Sequence, residues 1–301
     1  MASEKEIKNR IHSIQDTQKI TNAMYLISST KLRKAREALE AAEPFFDALR
    51  PAIARILRHI PDLNNIYFDD YERPDGVVKE EKDKVRAYLV VTADKGLAGA
   101  YNHNIIKLTE QEFQKEGEKR LFVIGELGRQ YFLSKGIHVY HNFLYTAQDP
   151  SLSRARTITQ EILPLYESGE IDELYIVYTF MRNSVAEDVV MEKILPLHRQ
   201  EYIPLDVDML DMYQEQFVME PSPSAVINQM MPNYFAGYVY GALVEAYACE
   251  QNARMTAMKA ANDSASDMLK DLNVQYNHIR QAGITQEITE VIGGAKALKK
   301  K

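Results

Sequence analysis

Ile7-Lys8-Asn9-Arg10-Ile11-His12-Ser13-Ile14 opens the spacing that decides the architecture. Steps of four and three from Ile7 pass through Ile11, Ile14, Gln18, Thr21, Tyr25, Ser28, Leu32, Ala35, Leu39, Ala42, Phe46, Leu49, Ile53, Ile56 and Ile60. Only Gln18, Thr21 and Ser28 are polar. A 3.5-residue repeat held this long outruns an ordinary globular helix and predicts a coiled coil. Pro44 and Pro51 interrupt it and are expected to kink or break the helix, because proline lacks an N–H and its ring clashes with the carbonyl four residues back. If continuous, residues 4–59 would reach roughly 80 Å.

The other end of the chain mirrors this pattern. Ser222-Pro223 offers an N-cap followed by proline at the first helical position, and after Pro232 no proline occurs up to Leu298. A seam is predicted through Met258, Ala261, Ala265, Met268, Leu272, Ile279 and Ala282. It then shifts to Ile284, Ile288, Val291, Ala295 and Leu298. Such a helix would extend roughly 110 Å. Each long helix is the natural partner for the other's seam. Separated by a domain, they pair antiparallel, and the C-terminal one outruns the first and leaves a bare tip.

Between them the period changes. Val85–Val91, Leu121–Ile124, Ile137–Phe143, Leu174–Tyr178 and Asp188–Met191 read as strands. Asn102–Lys115, Arg129–Ser134 and Ser153–Tyr166 read as helices, the last with Pro164 near its end. Strands alternating with helices predict an open, largely parallel sheet. The acidic run Tyr67–Asp83 reads as the linker into it and Asp206–Pro223 as the exit. The expected fold is α/β: a long antiparallel coiled coil of N- and C-terminal helices flanking a central Rossmann-like α/β domain. Its divisions are 1–66 for the first shaft helix, 67–221 for the central domain with linkers, and 222–301 for the second shaft helix.

The charge follows the same division. The 301 residues carry a net charge of −7. Residues 1–60 hold eleven Lys/Arg against seven Asp/Glu, and residues 222–301 hold eight against seven. The middle carries seventeen against twenty-nine. This balance argues against a nucleic-acid binder. One cysteine, Cys249, excludes an intrachain disulfide and fits a reducing compartment. The opening Met-Ala-Ser-Glu-Lys-Glu-Ile shows no secretory signal. The most apolar window, Tyr234–Cys249, is too short to span a bilayer, so any membrane association is expected through partners.

Little in the sequence points to catalysis. Asp94-Lys95-Gly96-Leu97-Ala98-Gly99-Ala100-Tyr101-Asn102 joins a strand to a helix, the place where a helix N-terminus holds phosphate. It matches neither Gly-x-Gly-x-x-Gly nor a Walker loop, so a tight turn is the expected role. The seven histidines have no metal-ligand spacing. No cofactor, metal or catalytic residue is expected. Lys31, Arg33, Lys34 and Arg36 form a basic cluster on the outer face of the first helix, either a solvated face or a contact for an acidic partner.

Ile284-Thr285-Gln286-Glu287-Ile288-Thr289-Glu290-Val291-Ile292-Gly293-Gly294-Ala295-Lys296-Ala297, preceded by Tyr276-Asn277-His278-Ile279-Arg280-Gln281-Ala282, resembles the C-terminal signature of the gamma subunits of F-type ATP synthases. Gln18-Lys19-Ile20-Thr21-Asn22-Ala23-Met24 and Arg254-Met255-Thr256-Ala257-Met258 extend the resemblance, which covers essentially the whole chain. Tyr25 stands where the family usually has Lys, and Ala98 where it usually has Cys.

The resemblance implies a non-catalytic central rotor shaft. It would couple proton- or sodium-driven rotation of a membrane ring to ATP synthesis or hydrolysis in an alpha-beta ring. The implied partners are the alpha and beta subunits, the epsilon subunit and the ring of c subunits. The implied location is peripheral, on the cytoplasmic face of the bacterial plasma membrane. Lys31, Arg33, Lys34, Arg36, Arg254, Arg280, Gln281, Thr285 and Glu287 become partner-binding residues. Ile284, Ile288, Val291 and Leu298 become an apolar tip. In the family an Arg-Gln pair at the positions of Arg280 and Gln281 hydrogen-bonds a beta-subunit loop, and such charge-assisted bonds are worth roughly 1.5–3 kcal/mol each. Two other readings remain: a static coiled-coil scaffold, and a nucleotide-binding enzyme built on the α/β domain.

Overall fold

The computed structural model describes residues 4–72, 79–143, 147–182, 186–202 and 218–298. The chain divides into two compact units. One joins residues 1–29 with 254–301, and the other spans 30–253.

The first helix, α1, covers Glu4–Asp47, and Glu4 and Glu6 place negative charge at its N-terminal, partly positive end. Pro44 is accommodated inside it. A new helix, α2, begins at Leu49 and runs to His59. The break at Ala48 follows from Pro51, whose ring excludes the carbonyl of Asp47 four residues back. The last helix, called α6 here, covers Pro223–Leu298 without a break despite Pro232. Its start matches the Ser-Pro expectation, since the Ser222 hydroxyl accepts from the Ala225 N–H at 3.2 Å.

Within the first unit the two helical segments run antiparallel. Glu4 receives the Tyr276 hydroxyl, Gln18 donates to Ser266 at 2.8 Å, and Thr21 donates to Asn262. Ile7, Ser28, Met258, Ala265 and Leu272 are buried along the seam. Gln18 and Thr21 therefore meet polar partners, which removes most of the cost of placing them in the seam. Met268 does not belong to the seam. It is 55% exposed, and the half-buried Leu269 takes the inward place. A step of four after Ala265, in place of three, keeps a 3.6-residue helix facing its partner.

The second unit is built on a five-stranded sheet of order β3-β2-β1-β4-β5. The strands are β1 Arg86–Val91, β2 Lys119–Ile124, β3 Val139–Phe143, β4 Glu173–Met181 and β5 Glu187–Leu195. The first four pair in parallel. β5 pairs antiparallel with β4, because the short connection between them allows only a hairpin. Helices α3 (Tyr101–Phe113), α4 (Glu126–Ser134) and α5 (Leu152–Glu167) supply the crossovers. β1 is buried from Ala87 to Val91, as expected for a strand covered on both faces.

The predicted linker Tyr67–Asp83 is not slack where it begins. Tyr67 and Phe68 are buried, and Phe68 bridges to Leu197. Two large aromatic rings in a connecting segment bury enough apolar area to dock it. Most of the predicted exit, at 203–217, lies outside the described residues.

Candidate partner surfaces and the covered switch point

In an open sheet of this order, ligands bind outside the carboxyl ends of the strands where the winding direction reverses. Here that point lies between β1 and β4. Three contacts fill the neighbourhood with α6. The Tyr101 hydroxyl donates to the Ala246 carbonyl at 3.1 Å. The Met181 N–H donates to the Glu245 carboxylate at 2.9 Å, and the Asn252 amide to Glu187 at 2.7 Å. Burial raises the pKa of the Tyr101 hydroxyl, the Cys249 thiol and the Glu187 carboxyl. The thiolate, the reactive form, is thus disfavoured at Cys249.

The polar groups of the loop after β1 are spent on the loop itself and on the start of α4. The Asn102 side chain accepts from the Ala93 N–H at 2.8 Å, and Asp94 accepts from Glu126 N–H at 3.0 Å. Leu97 and Gly99 adopt positive φ, and Ala98 is buried. This is the tight strand-to-helix turn expected from the sequence. Among the described residues, no group of three or more His, Cys, Asp or Glu is placed to hold a metal.

The surfaces open to partners lie elsewhere. In the first unit, residues 280–295 of α6 are exposed without interruption. Arg280, Gln281, Thr285 and Glu287 all point to solvent, as do Ile284, Ile288 and Val291. The side chain of Leu298 lies outside the described ones. Thr285 and Thr289 donate to carbonyls four residues back, at 2.8 and 2.7 Å. Gly283, Gly293 and Gly294 have open space where a Cβ would stand.

Residues the sequence reading passed over belong here as well. Ile20, Leu26 and Ile27 are each more than half exposed on α1. The signal was available: they are apolar at positions off the seam, where a solvated helix would be polar.

In the second unit, Lys31, Arg33, Lys34 and Arg36 are all exposed, while Leu32 and Ala35 between them are buried. Arg33 sits 3.8 Å from Glu37, and Arg36 donates to the Met181 sulfur at 3.1 Å. Arg254, grouped with these cations from sequence, differs from them. It is buried and held by interactions within the chain.

An ATP synthase family model matches residues 3–298. The ATP synthase gamma chain of Acetivibrio thermocellus is 43% identical over 302 residues, covering 99% of this chain and all of that one. The chain belongs to the ATP synthase gamma-chain family. The gamma chain of Ruminiclostridium cellulolyticum is 45% identical, with 98% of each chain covered. Among solved structures, the rotor of the Euglena gracilis mitochondrial ATP synthase is similar in fold. Its TM-score is 0.63 at 13% identity, covering 93% of this gamma chain and 98% of that one. A gamma chain is a subunit of a rotary complex. Among the described residues no helix is long and apolar enough to cross a membrane.

Proposed function

We infer that this gamma chain is the central rotor shaft of an F-type ATP synthase, without catalytic residues of its own. The observation that carries this reading is the bare tip. Residues 280–295 expose a polar pair and an apolar row together, which an isolated helix would not retain in water. Its glycines weaken the helix by roughly 0.5–1 kcal/mol each relative to alanine. The chain's own packing does not require them, since no atom lies where their Cβ would be. Close approach of a surrounding subunit supplies the reason.

In this reading the alpha and beta subunits surround the shaft. Arg280, Gln281, Thr285 and Glu287 hold one orientation by hydrogen bonds that release in the next. Lys31, Arg33, Lys34 and Arg36 face acidic beta-subunit loops. The α/β domain and lower helices meet the epsilon subunit and the c-subunit ring, on the cytoplasmic face of the bacterial membrane. The division into residues 1–66, 67–221 and 222–301 follows these roles. Driving a two-state catalytic site from 1:99 to 99:1 takes about 5.5 kcal/mol of differential contact, a sum that many weak shaft contacts supply.

Cross-linking tests rotation. With Cys249 replaced by Ala, a cysteine in 274–281 joined by a disulfide to a beta subunit stops steady-state turnover until reduced. A disulfide between the paired helices leaves turnover intact. Full activity with the shaft locked to the ring overturns the rotor and leaves the static scaffold.

A further inference from the structure

Away from these surfaces a polar cluster gathers around Arg199, just after β5. Its guanidinium is buried and reaches three points of one stretch, residues 60–71. It donates to the carbonyls of Pro61 at 2.9 Å and Leu63 at 2.6 Å, and to Asp70 at 2.9 Å. It also lies 5.0 Å from the Phe68 ring centroid.

The neighbouring backbone adds to the hold. Arg199 N–H donates to Asp69 at 3.1 Å, and His198 Nδ1 lies 2.7 Å from the same carboxylate. Leu197 N–H donates to Tyr67 O at 2.8 Å, and Asp69 N–H to Leu197 O at 3.0 Å.

The strap 60–71 is tied to the base of α6 too. The Asn65 amide donates to Ser224 at 3.2 Å and Asn228 at 2.8 Å. From α2, Arg50 lies over the Tyr202 ring at 5.3 Å, and the Tyr202 and Tyr234 hydroxyls are 2.7 Å apart. The end of α2, the exit of β5 and the start of α6 therefore meet at one clasp, inside the second unit.

We propose that Arg199 is a positioning residue for coupling: it locks the α/β sheet to the bases of α2 and α6, so that torque entering one is delivered to the other without slip. A planar guanidinium suits this task, because its five N–H donors lie in a fixed fork and hold several acceptors at once. Burial of the guanidinium keeps water from competing for the bond to the Leu63 carbonyl, while Asp70 stays half exposed. A strap held by weaker bonds would open and let the sheet turn relative to the helix bases.

The proposal rests on the rotor reading, and the test separates the two. The wild-type complex is reconstituted into vesicles, and ATP-driven ion uptake is read with proton- and sodium-sensitive dyes beside ATP hydrolysis. No ATP-driven uptake by the wild type would sink the rotor reading itself. With Arg199→Ala, hydrolysis persists while ions moved per ATP fall, and amides of 60–71 exchange roughly tenfold faster or more, the loss expected for a charge-assisted bond. Arg199→Lys, which restores a charge but not the fork, recovers part of the ratio. Faster exchange with an unchanged ratio overturns the proposal and leaves a purely structural clasp. If Arg199→Ala fails to assemble, Asp70→Asn decides. It removes only the ion pair, and an unchanged ratio in its assembled complex overturns the proposal equally.

Discussion

In the paired helices Gln18 meets Ser266 and Thr21 meets Asn262 across the seam, while in the sheet the run Ala87–Val91 is buried among apolar neighbours. The helical pair satisfies its backbone within each helix and needs the partner only for side chains. The sheet needs its neighbours for the backbone bonds themselves. A small error in the sheet thus disturbs hydrogen bonds and packing at once, whereas one in the seam is absorbed locally. The contrast suits a part that presents a long open surface and a part that keeps its shape.

The largest effect is expected at Gly125, between β2 and α4. Its φ is +96°, and a Cβ there would stand 2.2 Å from the Thr92 carbonyl oxygen. Gly125→Ala must move backbone, so a loss of about 3 kcal/mol or more is expected, beyond the usual range for a surface change. Urea denaturation followed by circular dichroism reads it. Wild-type stability would show that the strand-to-helix turn yields, and the contrast would weaken.

A charge buried in the sheet comes next. Glu173 accepts from Lys193 at 2.9 Å, Arg86 at 3.1 Å, Lys84 at 3.4 Å and Tyr175 at 3.0 Å. Burial alone would raise its pKa, but the surrounding donors and cations prevail and lower it from 4.5 to about 2. A lowered folded pKa stabilises fully above the unfolded value and is lost as pH falls through the folded one. Between pH 4.5 and 2 the sheet should therefore lose of the order of 3 kcal/mol from this group. Glu173→Gln removes that part of the acid dependence, and thermal melts at a series of pH values measure it. An unchanged acid limb would show that other carboxylates control it.

Leu272→Ala probes the seam. Leu272 is buried, yet it lies beside exposed positions where water can fill the space. A loss of about 2 kcal/mol, the low end for Leu→Ala, is expected. Hydrogen exchange over 254–279 registers it, and a loss equal to that of Gly125→Ala would erase the distinction between the two regions.

The smallest effect belongs to Gln18→Ala, which removes one partly buried hydrogen bond while the Ser266 hydroxyl keeps its bond to the Asn262 carbonyl at 3.0 Å. About 0.5–1.5 kcal/mol is expected. A larger loss would mean that the polar pairs set the register of the seam.

The candidate surfaces were legible to differing degrees. The exposure of Arg280, Gln281, Ile284, Ile288 and Val291 was readable because one long helix had to outrun the other. The burial of Arg254 was not readable, since a cation in a helical motif carries no mark of whether the chain folds over it. The Arg199 clasp had no local signature at all. Its partners Pro61, Leu63 and Asp70 are more than a hundred residues away, and no periodicity connects them.

The sequence by itself determined the elements: heptad spacing the paired helices, apolar runs the strands, and prolines an interruption of the first helix. These follow from local sterics and from the periods of helix and strand, which neighbouring residues express. The structure decided that Pro44 is accommodated, that the break falls after Asp47 and that β5 runs antiparallel. Tertiary structure alone decided that Leu269 replaces Met268 in the seam, that Tyr67 and Phe68 dock the strap, that α6 covers the switch point, and that one guanidinium holds a strap more than a hundred residues away at three points. Each depends on which surfaces meet after the chain has folded, and a contact between residues far apart in sequence leaves no period to read.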